Sequence, residues 1–416
     1  MFRVTQYLRE LARAQVRGQY PAPGHHGAAP GARPGPVVIW NLTRRCNLTC
    51  THCYAFSADH AYPGELSTEE VFGVMDDLKA FRVPVLILSG GEPLLRPDLM
   101  DIARRARAQG FYTGLSTNGT LIDASRADAI AAMGFDYVGI SLDGLQATHD
   151  RFRRQAGAFD SSLAAVRLLL ARGVKVGLRF TLTAPNAPDF PALLALMREE
   201  GAQKFYLSHL NYAGRGNVHR AKDAHFQVTR EALDLLFDRA WEAARAGRDE
   251  EYVTGNNDAD GPYLLQWVQQ RYPQWAPALR EHLVAWGGNA SGVHVANIDN
   301  LGDVHPDTMW WHHRLGNVRE RPFSQIWADT TDPLMAGLKA KPRPVQGRCA
   351  ACAQRDICGG NTRVRAQQLT GDAWAEDPGC YLRDDEIGLA CGSDAQRVAV
   401  TPFSHRRTIE ILPESH

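Results

Sequence analysis

The sequence has no excess of charge, no long apolar run and little cysteine. Lys plus Arg number 46 and Asp plus Glu number 46, so no overall field attracts nucleic acid or an acidic membrane surface. No stretch approaches the roughly 18 consecutive apolar residues of a transmembrane helix, and residues 1–20 lack the apolar core of a secretory signal. These absences predict a cytoplasmic protein with neither nucleic acid nor a membrane as partner.

Cysteine is scarce, and the eight residues are unevenly placed along the 416 positions. Three lie within "RRCNLTCTHCY" (44–54), four lie between 349 and 380, and Cys391 follows them. Thiols stay reduced in the cytoplasm, so clustered cysteines there are more typical of metal binding than of disulfides.

The pattern from residue 37 onward is that of an α/β protein. Short β-branched runs alternate with helical stretches, the first of which begins at a capping box formed by Ser67 and Glu70. The predicted strands are 37–42, 85–91, 112–119, 137–144, 175–183 and 204–211. Several are nearly unbroken apolar runs, as expected when helices cover both faces of a sheet. Six strand–helix units predict a parallel sheet curled into a partial (β/α)6 barrel.

Composition divides the chain into four parts. Residues 1–36 hold a short amphipathic helix and a Pro/Gly-rich arm, and residues 37–247 form the predicted barrel core. Residues 248–391 are richer in Trp, Gly, Asn and His and lack the strand–helix rhythm, which predicts a smaller, loop-rich domain. Residues 392–416 show no core pattern and are predicted to be a tail.

Cys46, Cys50 and Cys53 directly follow the first predicted strand, at the carboxyl end where parallel sheets build active sites. Thiolates are soft ligands that suit iron–sulfur clusters and zinc. Three of them can hold three irons of a [4Fe–4S] cluster and leave the fourth iron open to an external molecule, whereas a closed site takes four protein ligands. Buried unpaired thiols and half of a zinc site are the alternatives.

This stretch resembles the signature of the radical S-adenosylmethionine (SAM) superfamily, C-x3-C-x2-C followed by an aromatic residue, here Tyr54. The resemblance implies that Cys46, Cys50 and Cys53 bind a [4Fe–4S] cluster whose open iron is chelated by SAM. One electron then cleaves SAM to methionine and a 5′-deoxyadenosyl radical, which abstracts hydrogen from the substrate. A low-potential electron donor of the flavodoxin or ferredoxin type is the implied partner.

Four further strand ends carry residues that match SAM-binding positions of the superfamily. The resemblance assigns the SAM amino group to "SGGEP" (89–93), the ribose to "STNG" (116–119) and further contacts to "SLDG" (141–144). Arg179 is expected to pair with the SAM carboxylate through its planar donor fork. A plain Gly-Gly turn and a structural ion pair of Arg179 are the alternatives. The expected SAM contacts are Tyr54, Gly90, Gly91, Glu92, Ser116, Thr117, Asn118, Ser141, Asp143 and Arg179.

A second set of thiols has the spacing C-x2-C-x5-C-x21-C and consists of Cys349, Cys352, Cys358 and Cys380. Four cysteines are also a full set for a structural zinc ion, which remains one interpretation. The region resembles the C-terminal SPASM and Twitch extensions of radical SAM enzymes, which implies an auxiliary [4Fe–4S] cluster. Full SPASM domains often carry cysteines where this chain has "HPD" (305–307) and "WGGNASG" (286–292), so one auxiliary cluster is expected rather than two. Cys391 is expected to be a buried thiol.

Longer stretches, among them "FRVPVLILSGGEPLLRPD" (81–98) and "FYLSHLNYAGRGN" (205–217), resemble the branch of the superfamily that acts in heme d1 biosynthesis. This implies a tetrapyrrole substrate, 12,18-didecarboxysiroheme, whose propionate side chains are attacked on the way to the oxo groups of heme d1, the cofactor of a denitrification enzyme. The alternatives are a heme-synthesis decarboxylase acting on iron-coproporphyrin III, a peptide-modifying SPASM maturase and a non-catalytic iron–sulfur or zinc scaffold.

A tetrapyrrole that carries several carboxylates needs cations and aromatic walls. The loop after the sixth strand is expected to contact these carboxylates through Arg215, His219, Arg220 and Lys222. One histidine of the stretch 305–314 is expected to approach the substrate iron, and the same stretch supplies Trp310, Trp311, His312 and His313. The alternative is a solvated basic loop and a tryptophan pair that packs the small domain.

Overall fold

The computed structural model describes residues 1–21, 35–390 and 400. Cys391, most of the Pro/Gly-rich arm and nearly all of the predicted tail lie outside the described residues. The strands are β1 (Val37–Asn41), β2 (Val85–Ser89), β3 (Tyr112–Thr117), β4 (Tyr137–Ser141), β5 (Val176–Leu182), β6 (Lys204–His209), β7 (Glu251–Gly255), β8 (Val295–Ile298), β9 (Asp303–His305) and β10 (Gly316–Asn317).

The helices alternate with these strands and then follow them in the C-terminal region. They are α1 (Val4–Arg17), α2 (Thr68–Ala80), α3 (Leu99–Ala108), α4 (Ala124–Met133), α5 (Gln146–Arg153), α6 (Ala158–Leu170), α7 (Phe190–Glu200), α8 (Gly214–Val218), α9 (Gln227–Arg245), α10 (Asp260–Arg271), α11 (Ala276–Trp286), α12 (Phe323–Ala328), α13 (Pro333–Lys339), α14 (Gly347–Ala351), α15 (Arg355–Cys358) and α16 (Arg363–Thr370). No helix of the described residues has both the length and the apolar character needed to cross a bilayer.

All ten strands lie in one sheet with the order β10-β9-β8-β1-β2-β3-β4-β5-β6-β7. Strands β1 to β7 are mutually parallel, β8 pairs parallel with β1, and β9 and β10 continue the sheet antiparallel. The six predicted strands are present as β1 to β6. Because the parallel strands all end on one side, the loops after β1 to β6 gather at a common edge.

The strand–helix rhythm extends further than the sequence pattern indicates. β7 and β8 both lie beyond residue 247, yet they pair with β6 and β1 in the same sheet. Both are easily missed in sequence, since β7 is a five-residue run that leads into a polar loop and β8 is four residues long with an internal Asn. The division of the chain at 247 stays a prediction, and the sheet crosses it.

Helix α1 covers the β7 edge of the sheet. Its residues Val4, Leu8 and Leu11, at helical spacing, are buried. The backbone of Phe2 exchanges hydrogen bonds of 2.7 and 2.9 Å with Thr254. The chain therefore protects a sheet edge with its own N-terminal residues.

A smaller apolar cluster lies in the C-terminal region. It contains Trp310, which is fully buried, together with Leu334, Leu338, Val364 and Ala373. Trp310 therefore packs the small region, as the alternative interpretation of the tryptophan pair expected.

Candidate active site

The three-cysteine loop follows β1 directly. Cys46 and Cys50 are buried, Cys53 is half-buried, and the three pack around Leu48. All three thiols are free. The loop is closed by backbone hydrogen bonds from Cys46 N to the carbonyl of Ala58 (3.0 Å) and from Cys53 N to the carbonyl of Cys50 (3.4 Å). The structure thus brings together the three thiols that the motif predicts.

The residues that follow β2 pack so closely against the cysteine loop that Gly90 and Gly91 have no space for a side chain. A Cβ on Gly90 would be 2.5 Å from the carbonyl oxygen of Thr43, and one on Gly91 would be 2.3 Å from that of Arg45. Gly91 N donates to Thr43 O at 2.7 Å, and Glu92 N donates to Arg45 O at 2.8 Å. The two glycines are therefore needed for close approach to the cysteine loop and are more than a plain turn.

Glu92 joins the ends of β2 and β3. Its carboxylate is fully buried and accepts hydrogen bonds from the Thr117 hydroxyl (2.7 Å) and from the backbone N–H groups of Asn118 (2.8 Å) and Leu94 (3.1 Å). Burial raises the pKa of Glu92, and these hydrogen bonds oppose the shift. The Asn118 side chain donates to Asn47 at 2.9 Å and lies 3.9 Å from the Cys46 sulfur. Glu92 and Thr117 hold the site in place, and their contact with SAM stays a prediction.

Arg179 lies in β5 beside Ser141 in β4 and Tyr206 in β6, since the strand register pairs these positions. Its guanidinium donates to the hydroxyl of Ser116 and lies over the Tyr206 ring at 5.2 Å. A Cβ on Gly139 would be 2.8 Å from Arg179 Cδ, so the glycine makes room for this side chain. The pairing of Arg179 with the SAM carboxylate stays a prediction.

The Asp143 carboxylate is buried and forms an ion pair with Arg153 of α5. Its other oxygen accepts from Thr181 N at 2.8 Å. Burial raises the pKa of Asp143, but Arg153, the two histidines His52 and His149 and the Thr181 hydrogen bond together outweigh this effect, and the net shift is downward. Arg153 Nη1 also donates to the Cys50 sulfur at 3.4 Å. Sequence reasoning missed Arg153, because "HDRFRR" (149–154) holds three arginines and no pattern marks which one turns inward.

The residues around the loop fit an iron–sulfur cluster. Burial raises the pKa of the Cys46 and Cys50 thiols, so ligation must displace their protons. Arg153 Nε and His52 Nδ1 are buried with no hydrogen-bond partner in the described part of the chain, which suits donors that face an absent group. Nowhere in that part do three His, Cys, Asp or Glu side chains converge on one metal ion; a [4Fe–4S] cluster spreads its thiolates over separate irons.

A bridging segment, residues 210–217, links the cysteine loop to the C-terminal region. Arg215 donates through its backbone N to Cys53 O (2.8 Å), through Nε to Cys50 O (2.7 Å) and through Nη2 to Ser57 O (3.0 Å). Asn217 donates to the Gln368 side chain of α16 at 2.9 Å. Arg215 therefore supports the cysteine loop, and its contact with a substrate stays a prediction.

The other three basic residues of the predicted substrate set have different surroundings. Arg220 is buried and donates to Asn217 Oδ1 at 2.9 Å. His219 is half-buried and Lys222 is exposed. Their contact with substrate carboxylates stays a prediction.

The second set of cysteines lies in and around short helices. Cys349 is in α14, Cys352 follows it, Cys358 ends α15, and Cys380 comes after α16; all four are free and half-buried. The Cys352 sulfur accepts from Gln354 N at 3.3 Å, and the Cys380 sulfur accepts from Arg348 Nη1 at 3.3 Å.

A buried ion pair ties this region to the carboxyl edge of the sheet. Arg365 pairs with Asp377 at 2.7 and 2.8 Å, with both side chains almost fully buried. Arg365 Nη1 also donates to the carbonyls of Leu210, just after β6, and Asn256, just after β7. Both cysteine sets are therefore attached to the same edge of the sheet.

An aromatic contact crosses between the cysteine loop and the stretch 305–314. The Arg44 guanidinium lies 4.9 Å from the Tyr62 ring and 5.7 Å from the Trp311 ring, and Trp311 contacts Tyr54 at 6.3 Å. The Tyr54 hydroxyl also accepts from Asn41 at 2.8 Å. The predicted contacts of Tyr54 with SAM and of Trp311 with a substrate remain predictions.

The histidines of this stretch already have protein partners. His305 Nδ1 contacts the carbonyl of His313 at 2.9 Å, His312 Nε2 contacts Gln367 at 2.7 Å, and His313 Nε2 contacts Asp332 at 3.0 Å. Burial lowers the pKa of His312 to about 4, so its ring is neutral near pH 7. Its approach to a substrate iron stays a prediction.

Comparison with known proteins agrees with this arrangement. Residues 40–202 match the family model of the radical SAM superfamily. The chain is 54% identical over 405 residues to the pre-heme d1 synthase of Dinoroseobacter shibae, covering 97% of both chains. It is 45% identical to the Fe-coproporphyrin III synthase of Methanosarcina barkeri, covering 85% of this chain and 89% of the other. Among solved structures, Streptococcus suis SuiB bound to S-adenosylmethionine is similar in fold, with a TM-score of 0.66 at 16% identity, over 90% of this chain and 81% of that one.

These matches confirm the predicted α/β fold with a radical SAM core and a smaller SPASM/Twitch-like region. The superfamily brings with it a [4Fe–4S] cluster and SAM, for which the three-cysteine loop supplies the fitting ligands. The chain therefore belongs to the radical SAM superfamily and is a SAM-dependent radical enzyme.

Proposed function

We propose that this chain is the radical SAM enzyme of heme d1 biosynthesis that attacks the propionate side chains of 12,18-didecarboxysiroheme. The observation that carries the proposal is the 54% identity to a pre-heme d1 synthase over 97% of both chains. The likeness includes both cysteine-bearing regions, so it extends beyond the SAM-binding core.

The chemistry requires a radical. A propionate β-carbon has strong, unactivated C–H bonds that acid–base side chains do not break at neutral pH, and SAM bound at an open cluster iron supplies a carbon radical that does. The protein contributes positioning and the exclusion of water and oxygen. In this proposal Cys46, Cys50 and Cys53 hold the cluster.

The SAM contacts are proposed residue by residue. Gly90 and Gly91 let the end of β2 lie directly against the cysteine loop, and Arg179 offers a charge to the SAM carboxylate. The remaining proposed contacts are Tyr54, Glu92, Ser116, Thr117, Asn118, Ser141 and Asp143. Several of these, such as Glu92 and Asp143, act by holding strand ends together.

The second set, Cys349, Cys352, Cys358 and Cys380, is proposed to hold one auxiliary [4Fe–4S] cluster. Its attachment through Arg365 to the ends of β6 and β7 supports a role beside the reaction, where an electron leaving the substrate would be accepted. The region after residue 247 is proposed to form the auxiliary domain, and a flavodoxin or ferredoxin to supply the reducing electron.

The test is an anaerobic assay of reconstituted protein with SAM, dithionite and 12,18-didecarboxysiroheme. Release of 5′-deoxyadenosine together with a mass loss in the tetrapyrrole supports the proposal. Nucleoside release without tetrapyrrole conversion contradicts the assigned substrate. Iron and zinc contents of the same sample decide the auxiliary site, because zinc at about one equivalent per chain would favour a structural metal.

A second candidate is favoured by the 45% identity to an Fe-coproporphyrin III synthase. By its name that relative forms iron-coproporphyrin III, so appearance of this compound as the product of the same assay would replace the first proposal. The decarboxylase alternative, which consumes iron-coproporphyrin III, is tested separately by offering that compound as the substrate. A peptide-modifying role has weaker support, since the PqqA peptide cyclase of Gluconobacter oxydans is 30% identical and SuiB is 16% identical.

A further inference from the structure

One feature occurs at both cysteine sets. A single thiol of each set accepts a hydrogen bond from an arginine, and that arginine is held by a buried aspartate. At the first set, Arg153 donates to Cys50 and pairs with Asp143. At the second set, Arg348 donates to Cys380 at 3.3 Å and pairs with Asp384 at 2.8 Å.

Both pairs are shielded from solvent. The side chains of Arg153 and Asp143 are 8% and 1% exposed, and those of Arg348 and Asp384 are 11% and 5% exposed. A charge in such surroundings is screened less than one at the surface, so it acts more strongly on a neighbouring thiolate.

Further hydrogen bonds fix the orientation of each guanidinium group. Asp143 is itself held by Thr181 N at 2.8 Å, and Arg348 Nη2 donates to the carbonyl of Leu382. The planar guanidinium can contact a carboxylate and a sulfur together, which a lysine ammonium does less well. Arg153 Nε is buried without a hydrogen-bond partner within the described residues, so this arginine has a further donor unused.

We propose that Arg153 and Arg348 are positioning residues that set the reduction potentials of the two clusters, each through a single thiolate. Reduction adds negative charge that spreads onto the sulfur ligands, and a donated hydrogen bond from a cation stabilises this charge. Hydrogen bonds to sulfur are a principal control of iron–sulfur potentials. Each arginine therefore raises the potential of its own cluster and makes that cluster easier to reduce.

The part concerning Arg348 rests on the proposed auxiliary cluster, whereas the part concerning Arg153 rests only on the SAM-binding cluster of the family. The two arginines act on separate clusters, so each serves as the control for the other. Arg151, exposed on the same helix as Arg153, is the matched variant with no thiol contact.

The experiment is a redox titration of full-length, anaerobically reconstituted protein followed by electron paramagnetic resonance. The SAM-binding cluster is identified by the change in its signal when SAM is added. We expect Arg153→Gln to make that cluster about tenfold harder to reduce, a fall of about 59 mV for one electron, with the auxiliary cluster unchanged. Arg348→Gln should lower only the auxiliary potential, and Arg151→Gln should shift neither.

Unchanged potentials in variants that retain full iron content would overturn the proposal, as would equal shifts of both clusters in either variant. If Arg153→Gln loses its cluster, Arg153→Lys decides the matter: a potential below that of the unaltered protein supports the proposal, and an equal potential rejects it. A second cluster absent from the unaltered protein would remove the auxiliary part of the proposed function and leave the Arg153 measurement intact.

Discussion

Single residues of the site differ in how far sequence could predict them. The spacing of Cys46, Cys50 and Cys53 predicts that they lie together, because cluster ligands need a fixed chemical type at fixed intervals, and the structure brings the three thiols together. Arg153 carries no such signature, since its role depends on how α5 turns toward the cysteine loop. Arg215 is predicted to contact the substrate, and its guanidinium donates to the carbonyls of Cys50 and Ser57, which no sequence pattern indicates. Sequence patterns therefore predict candidate ligands, whereas the residues that support the loop are seen only in the structure.

Replacing Cys50 by Ala should remove the SAM-binding cluster and leave the proposed auxiliary one. We expect the iron content to fall by about four atoms per chain, because a cluster held by three thiolates loses a required ligand. Cys349→Ala is the reciprocal variant, which should retain the electron paramagnetic resonance signal that changes when SAM is added. Iron analysis and electron paramagnetic resonance measure both, and loss of all iron in Cys50→Ala would contradict separate sites.

Gly214 has a left-handed conformation (φ +53°), and a Cβ there would lie 2.5 Å from the carbonyl oxygen of Cys53. Gly214→Ala should therefore displace the cysteine loop and weaken cluster retention. Gly134, at φ +64° with no atom within 4 Å of a Cβ, is the matched control. The iron retained after gel filtration gives the readout. Equal retention in the two variants would mean that the contact at Gly214 is unimportant.

Among the elements, β1 to β6 are predicted by short apolar runs that alternate with helical stretches, whereas no such pattern predicts β7 and β8. Their pairing depends on partners far away in the chain, with Val37 aligned to Val295 across the sheet. Such long-range pairing overrides weak local propensity. Helix α1 is the converse case, because its apolar spacing predicts a helix but not that it covers the β7 edge.

Leu8 in α1 is fully buried, and its replacement by Ala should destabilise the fold by about 2–5 kcal/mol through lost apolar burial and the cavity left behind. Val16 lies on the same helix and is 88% exposed, so Val16→Ala should change stability by less than about 0.5 kcal/mol. Urea denaturation of the two variants provides the comparison. A small effect for Leu8→Ala would show that α1 is loosely attached.

At the scale of the whole molecule, the sequence predicts a core and an appended cysteine region but not how they are joined. The joining groups are polar side chains on loops, where no periodic pattern indicates a partner. Arg365 is the main example, since it is buried between Asp377 and the carbonyls that follow β6 and β7.

Arg365→Met should cost about 3–5 kcal/mol, because it leaves Asp377 as an uncompensated buried charge. Arg383, whose side chain is 58% exposed in its pair with Asp385, is the surface control, and Arg383→Met should cost no more than about 1 kcal/mol. Thermal unfolding of both variants tests this difference. Similar midpoints would indicate that the C-terminal region is not held through Arg365.

The bridging segment has a consequence for how the protein matures in the cell. The cysteine loop takes hydrogen bonds from Arg215, which lies 165 residues downstream of Cys50. While the ribosome is still translating the strands between them, that loop has no such support. The loop therefore completes its hydrogen bonding only after residue 215 has been translated, when five further strands of the barrel already exist as chain.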